Sequence, residues 1–384
     1  MVTLTSAENA LKTVYLGAVT DLLNVKSNPL LSKIEQTTSD VWGKEIRKAA
    51  KYGLNGGIGA GDEDGNLPTP HSSEYVQFVS TLKNLYGQIE ISDKAIRASE
   101  DGRGVFTDLL NSELEDLLKA SKFNLGRMLY GDGTGRLGVF KTTDVNPCTV
   151  SNIQNFTEGL IVDIYSNTGV LSDSGLIIKE VDRANSTITF NREPSSVSIN
   201  YGIYVQGSKD KEITGLGAIF GSGNLYGLSR EDYKFLTPYS KNVASQLDET
   251  MIQEAIDYLD INAGSTVDFL ACSADVKYAY QEYMAQYKRN IEMTEINGGF
   301  KTMAYNGIPL VYDRFVPEKT LYLLDTSAFH LHQLCDWRFL ESENGKILRQ
   351  TQGKPTYTAT LVKYCDLICD KPNGQGRLTG IIRS

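Results

Sequence analysis

Residues 104–138 read GVFTDLLNSELEDLLKASKFNLGRMLYGDGTGRLG, and the rest of the chain is arranged around this stretch. Phe106, Leu110, Leu114, Leu117, Leu125 and Met128 keep close to the 3.6-residue period of a helix. Leu109, Leu118 and Leu129 widen that stripe into a broad face to bury. Acidic Asp108, Glu113, Glu115 and Asp116 fill the first half, and basic Lys119, Lys122 and Arg127 the second. That order complements the helix dipole, and Glu115 to Lys119 adds a favourable i, i+4 pair. Gly131 ends the helix, with Gly133, Gly135 and Gly138 close behind. A helix over Val105–Tyr130 would span ~39 Å, more than twice an average one. No catalytic motif adjoins it, so the stretch reads as a structural beam.

The chain has 384 residues, room for two or three domains. Hydrophobic content of 41% and charged content of 22% are those of an ordinary folded protein, and 35 glycines with 21 tyrosines suit many strands and turns. A net charge of −9 argues against a dedicated nucleic-acid binder, which depends on clustered Lys and Arg. Residues 1–60 carry seven Lys/Arg against five Asp/Glu, a weak local excess read as a solvated face or a contact to an acidic partner. The N-terminus lacks the basic flank and apolar run of a signal peptide. No run of 18 apolar residues predicts a membrane span. Cysteines 148, 272, 335, 365 and 369 are odd in number and lack framework spacing, which predicts reduced, mostly buried thiols and cytoplasmic synthesis.

Outward from the helix the texture changes on both sides. Ser6 to Leu23 reads as an amphipathic helix broken by Asn28-Pro29. Residues 41–60 begin as a short strand or helix and dissolve into glycine, then comes the acidic, proline-bearing GDEDGNLPTP (61–70). Ser73 to Ile91 alternates apolar and polar residues at Tyr75, Phe78, Leu82 and Leu85. Two extended arms joined by a tip with no core of its own are marginal alone, so the hairpin is expected to reach onto a partner chain. After Val139, the runs 159–165, 175–181, 186–190 and 201–208, separated by polar turns, predict a small all-β unit inserted in the chain. Residues 212–242 resist assignment. Predicted helices at 248–260 and 273–289, the latter with Ser273 as N-cap, alternate with strand candidates 267–273, 308–313 and 320–325 as in a compact α/β domain. The tail predicts a hairpin, WRFLES to KILRQT through Glu343-Asn344-Gly345, and one long strand at 356–370.

Candidate chemistry is sparse. GDGTGRLG (131–138) follows a helix instead of a strand and lacks the Gly-Lys-Ser/Thr ending of a phosphate loop, so it reads as a tight corner. DEDGN (62–66) resembles the start of a calcium loop, but Leu67 and Ser73 stand where glycine and a carboxylate are needed, which leaves a solvated turn. His330 and His332 share a strand face near Cys335, with His71 the only other histidine; core packing fits better than zinc. Cys365 and Cys369 read as core too. There is no G-x-S-x-G elbow or reactive-cysteine signature. Glu113 and Asp116 lie on an exposed helix face, and Tyr280, Tyr283 and Tyr287 form a core or subunit-contact stripe. No catalytic, cofactor-binding or metal-ligating residue is assigned, and no enzyme is expected.

The order of parts, with NLYGQIEISDKAIRAS (84–99), the helix, LYGDGTG (129–135) and IVDIYSNTG…IIKEVDRANSTITF (161–190), resembles the major capsid proteins of tailed bacteriophages with the HK97-type fold. The resemblance implies an α+β chain. It implies an N-terminal arm (1–40), an extended E-loop (41–95) lying across a neighbouring subunit, and a P-domain part with the spine helix (96–139). An inserted β domain (140–210), a connection (211–244), an A-domain (245–328) and returning P-domain strands (329–384) would follow. It implies a homo-oligomer of pentamers and hexamers closing into an icosahedral shell around double-stranded DNA, in the virion after assembly in the bacterial cytoplasm. Portal, a separate scaffolding protein and a decoration protein would be partners; no cofactor and no membrane are implied. The implied arm starts almost at Met1, so no cleaved scaffolding segment is expected. Part of the family crosslinks E-loop lysines; Lys44, Lys48 and Lys51 lie in that region without a motif marking them reactive. The alternatives are an encapsulin-type compartment, a secreted protein with residues 140–210 as a carbohydrate-binding module, and an unrecognised hydrolase.

Overall fold

A computed structural model describes residues 28–53, 55–94, 105–287, 293–296, 300–341, 345 and 347–383. The helix expected at Ser6 to Leu23 lies outside the described residues. Val105–Tyr130 is one helix, ending where Gly131 N–H bonds to Met128 O at 3.0 Å. Leu118, Leu125, Met128 and Leu129 are buried along it. Lys119 reaches back to Asp116 at 3.0 Å and to Glu115 at 4.0 Å, so the expected i, i+4 pair is the looser of two.

This helix packs on a five-stranded sheet. Its central strand, Thr356–Cys369, pairs antiparallel with Lys83–Ser92 on one edge. On the other edge it meets Phe329–Phe339 and then Arg349–Gln350. Glu35–Thr37 runs parallel outside Phe329–Phe339. Being central explains why Leu361, Val362 and Lys363, and then Cys365 to Cys369, are buried on both faces of the strand. Here the tail departs from the hairpin expected of WRFLES and KILRQT: among the described residues Phe329–Phe339 and Arg349–Gln350 do not pair with each other, because both bond to the same long strand.

A second departure concerns the arm read at Ser73 to Ile91. It is two strands, Glu74–Thr81 and Lys83–Ser92, broken where Leu82 N–H bonds to Lys44 O at 2.9 Å. Only the first pairs with Glu45–Gly53 to make the projecting hairpin, with the short Val41–Trp42 beside it. The second belongs to the body.

The six-stranded unit runs in the order Arg136–Val139, Gly202–Val205, Ile161–Tyr165, Leu171–Asp182, Thr187–Phe190, Cys148–Thr149. Phe140, Phe156, Ile164, Ile178, Ile188 and Ile203 fill a core of its own.

The seven-stranded sheet is ordered Tyr239–Asn242, Gly376–Thr379, Leu321–Leu324, Phe269–Cys272, Ile308–Tyr312, Phe300–Tyr305, Met293–Ile296. Helices Glu249–Ala263 and Ala274–Tyr287 contribute to its core through Ile252, Leu259, Val276 and Tyr280. Asp248 caps the first by accepting Met251 N–H at 2.7 Å, and Gly264 closes it at φ 56°. Ser273 immediately precedes the second, yet its buried hydroxyl makes no hydrogen bond, contrary to the cap read from sequence. Gly376–Thr379, at the end of the chain, joins this sheet and not the five-stranded one.

Candidate functional site

Glu45–Gly53 and Glu74–Thr81 carry the segment 55–73 away from the body. Among its residues Ile58 and Leu67 are 85% and 90% exposed. The acidic turn closes on itself, Gly65 N–H to Asp62 O at 3.1 Å, and His71 is exposed nearby. Apolar side chains on such a projection have no intramolecular reason to be there.

The root of the hairpin, in contrast, is fastened tightly. Ile46 and Phe78 are fully buried. Phe78 lies against Tyr226 and Phe235, ring centroids 5.2 and 6.2 Å away, and Tyr52 stacks on Phe235 at 5.6 Å. Val79 N–H bonds to Tyr226 O at 3.0 Å. Tyr226 sits at φ 51°, costly for a bulky residue. Its hydroxyl donates to Leu367 O at 3.2 Å and accepts Cys369 N–H at 2.9 Å, which holds it there.

Asp366 is the second fastening. It is fully buried on the long strand and accepts from Ser80 Oγ of the hairpin at 2.5 Å, Thr214 N–H at 2.6 Å and Thr214 Oγ1 at 3.0 Å. Burial pushes its carboxyl above the ordinary aspartate range, against the opposing pull of those donors. Lys48, one of three lysines noted for crosslinking, bonds to Asp370 at 2.7 Å within the same chain.

The histidines adjoin this root. His330 lies 3.5 Å from Glu35 and 3.1 Å from Asp370, and His332 Nδ1 is 2.9 Å from Ser39 O. Burial lowers the His332 pKa. His71 lies on the exposed tip, so the three histidines do not converge. Among the described residues no group of three or more His, Cys, Asp or Glu is placed to hold a metal. Cys148, Cys272 and Cys365 have their thiols pushed up to about 12 by burial, and Cys369 shifts the same way.

At the far end of the long helix the glycine-rich loop turns a corner with Gly133 and Gly135 at φ 82° and 81°. A Cβ on Gly215 would lie 2.3 Å from Met128 O, so residues 212–217 press backbone against the helix end. Arg127, read from sequence as a dipole-complementing cation, is buried in an ion pair with Glu212 at 2.5 Å. The segment that resisted assignment is folded around Arg230, whose guanidinium donates to the carbonyls of Ala218, Ile219, Gly223 and Leu236. Sequence reading missed Glu212, Tyr226, Arg230 and Asp366. Asp366 within the long strand was one available signal, because a charge buried there must find partners.

The geometry is thus a folded body carrying a firmly rooted arm, with four thiols raised by burial and histidines that do not converge. The chain matches the model of the family described as SU10 major capsid protein over residues 11–347. Among solved structures, it is similar to the cyanophage A-1(L) capsid asymmetric unit, at 12% identity over 93% of both chains with a TM-score of 0.57. A gene-transfer-agent capsid gives 9% identity over 93% of this chain and 91% of that one, TM-score 0.49. An encapsulin from Synechococcus elongatus gives 10% identity over 93% and 89%, TM-score 0.48. Comparison with curated proteins gives no match. The chain belongs to the SU10 major capsid protein family, and its fold is the HK97-type capsid fold.

Proposed function

We propose that this phage major capsid protein assembles as pentamers and hexamers into an icosahedral shell enclosing double-stranded DNA. The observation that carries the reading, beside family membership, is the rooted hairpin with Ile58 and Leu67 exposed on it. Many moderate interfaces of this kind sum to a stable closed assembly without any single strong contact. In this reading the five-stranded sheet with the long helix is the P-domain, the seven-stranded sheet is the A-domain, and the six-stranded unit is an insertion. Scaffolding, portal and decoration proteins are proposed partners, and assembly is placed in the bacterial cytoplasm. A net charge of −9 suits a shell that holds DNA without gripping it, since strong phosphate binding would oppose packaging and release.

Size-exclusion chromatography and electron microscopy of the expressed protein test the proposal. Closed shells, alone or with a scaffolding protein, are expected; a monodisperse monomer at every concentration under both conditions would refute it. Deleting residues 55–70 should prevent shell closure and leave the subunit folded, because this stretch contributes nothing to the buried core. Unfolding of the deleted subunit would show that the arm had been misread.

A further inference from the structure

We propose that the cleft between the long helix, the strand Lys83–Ser92 and residues 205–212 is a small-molecule site for an anionic amphiphile, a medium-chain alkyl carboxylate. The alkyl chain lies on the apolar floor of the cleft and the carboxylate meets the hydrogen-bond donors around it. The site is separate from the assembly reading and does not depend on it.

The cleft measures about 710 Å³. Small-molecule sites occupy roughly 300–1,000 Å³. Its floor is aliphatic, since Leu82, Leu85, Leu125 and Met128 line it and are all buried. Such a surface gains from covering by an alkyl chain and offers a polar ligand nothing.

The balance of polar groups sets the ligand's charge. The acceptors of the cleft are already engaged. Asp210 pairs with Lys209 at 2.7 Å, and Glu212 is buried against Arg127. Asn124 Oδ1 accepts from Arg127 at 2.6 Å, while its NH₂ has no partner among the described residues. The donors are open. Trp337 is 4% exposed, and its buried indole N–H has no hydrogen-bond partner. Lys211 bonds only to Gly207 O, at 3.1 Å. Lys83 makes no ion pair among the described residues, although its charge reaches the buried Asp366 carboxylate, which Ser80 and Thr214 already serve. A buried donor without an acceptor is costly and calls for one.

A ligand that answers these groups brings acceptor oxygens and negative charge, and one that also covers the floor brings an apolar body. An alkyl carboxylate has both, with about four acceptor positions on its two oxygens. Inorganic phosphate would match the charge and leave the aliphatic floor bare. The two walls belong to different parts of the fold: helix and strand to the body, and residues 205–212 to the chain leaving the six-stranded unit. A carboxylate held by Lys83 on one wall and Lys211 on the other therefore fixes how that unit sits on the body.

Isothermal titration of the full-length protein with decanoate and with decanol tests the site. Decanoate is expected to bind saturably, one per chain, and roughly tenfold or more tightly than decanol, the uncharged chain of the same length. Lys83→Gln with Lys211→Gln should erase that preference and leave decanol binding unchanged. A second measurement needs no change to the cleft. Trp42 is the only other tryptophan and is 70% exposed, so isotope-labelled Trp42→Phe protein gives a single indole N–H resonance, that of Trp337. Decanoate should move it downfield as the N–H gains an acceptor. Equal affinity for the two ligands, a preference that survives the double substitution, or an indole resonance that stays in place overturns the site.

Discussion

Replacing Asp366 by alanine should unfasten the hairpin root and destabilise the subunit far more than deleting any one of its partners. In the folded chain this buried carboxylate receives Ser80 Oγ, Thr214 N–H and Thr214 Oγ1, from segments 286 and 152 residues away in sequence. Asp366→Ala orphans all three, and each buried donor left unpaired costs about 1–3 kcal/mol. Two of the three are hydroxyls that can rotate, and removing a buried charge recovers some desolvation energy. The net is therefore placed at about 3–4 kcal/mol, near the low end of the sum for three orphaned donors. Ser80→Ala removes one donor and leaves the acceptor satisfied by the others, so about 1 kcal/mol is expected. Urea unfolding of the subunit, followed by tryptophan fluorescence, measures both. The raised carboxyl pKa sets the pH dependence. Stability from this group is full below its unfolded-state value and is lost as pH rises through the raised folded value. The gap between wild type and Asp366→Ala should accordingly widen as pH falls. Equal effects of Asp366→Ala and Ser80→Ala, or a gap that narrows in acid, would refute this account of the root.

Two further outcomes follow from close contacts and burial. Gly126→Ala ought to stabilise an exposed helix by about 1 kcal/mol, but here a Cβ would sit 2.3 Å from Asn28 Oδ1 and 2.8 Å from Phe315 Cε2. Thermal unfolding should show a loss of about 1–2 kcal/mol from overpacking, largely recovered by Asn28→Ala in the same chain; a gain in stability would contradict the packing. His332 has its pKa lowered by burial, so it contributes stability above the unfolded value near ~6.5 that is lost as pH falls through the lower folded value. His332→Gln should flatten that part of the stability profile, and an unchanged slope would assign the acid sensitivity elsewhere.

What could be read directly was whatever has a local period. The helix Val105–Tyr130 was legible with both ends, because an apolar stripe at 3.6 residues, a charge gradient and a terminal glycine all act within one element. The strands of the inserted unit and the two helices of the seven-stranded part were legible for the same reason. The projecting arm was visible as alternation around a glycine-rich, acidic tip without a core. The lack of a catalytic signature on any of these elements turned the reading toward a structural role.

Tertiary structure alone decided which edge each strand joins. Lys83–Ser92 continues the same alternation as Glu74–Thr81, and only the pairing of Leu82 N–H with Lys44 O shows where the arm ends and the body begins. The closing strand Gly376–Thr379 crosses to the seven-stranded sheet because Leu378 finds its burial there, beside Leu321. In sequence Arg230 looks like an ordinary charge, and Asp366 stands out only as a carboxylate within a strand, with no partner named. Asp366 becomes a fastening only when Ser80 and Thr214 arrive from 286 and 152 residues away, and Arg230 only when its own irregular segment folds four carbonyls back onto it. Periodicity is written in neighbours along the chain and can be read there; hydrogen-bond partners for a buried charge are supplied across the fold, and no local pattern names them.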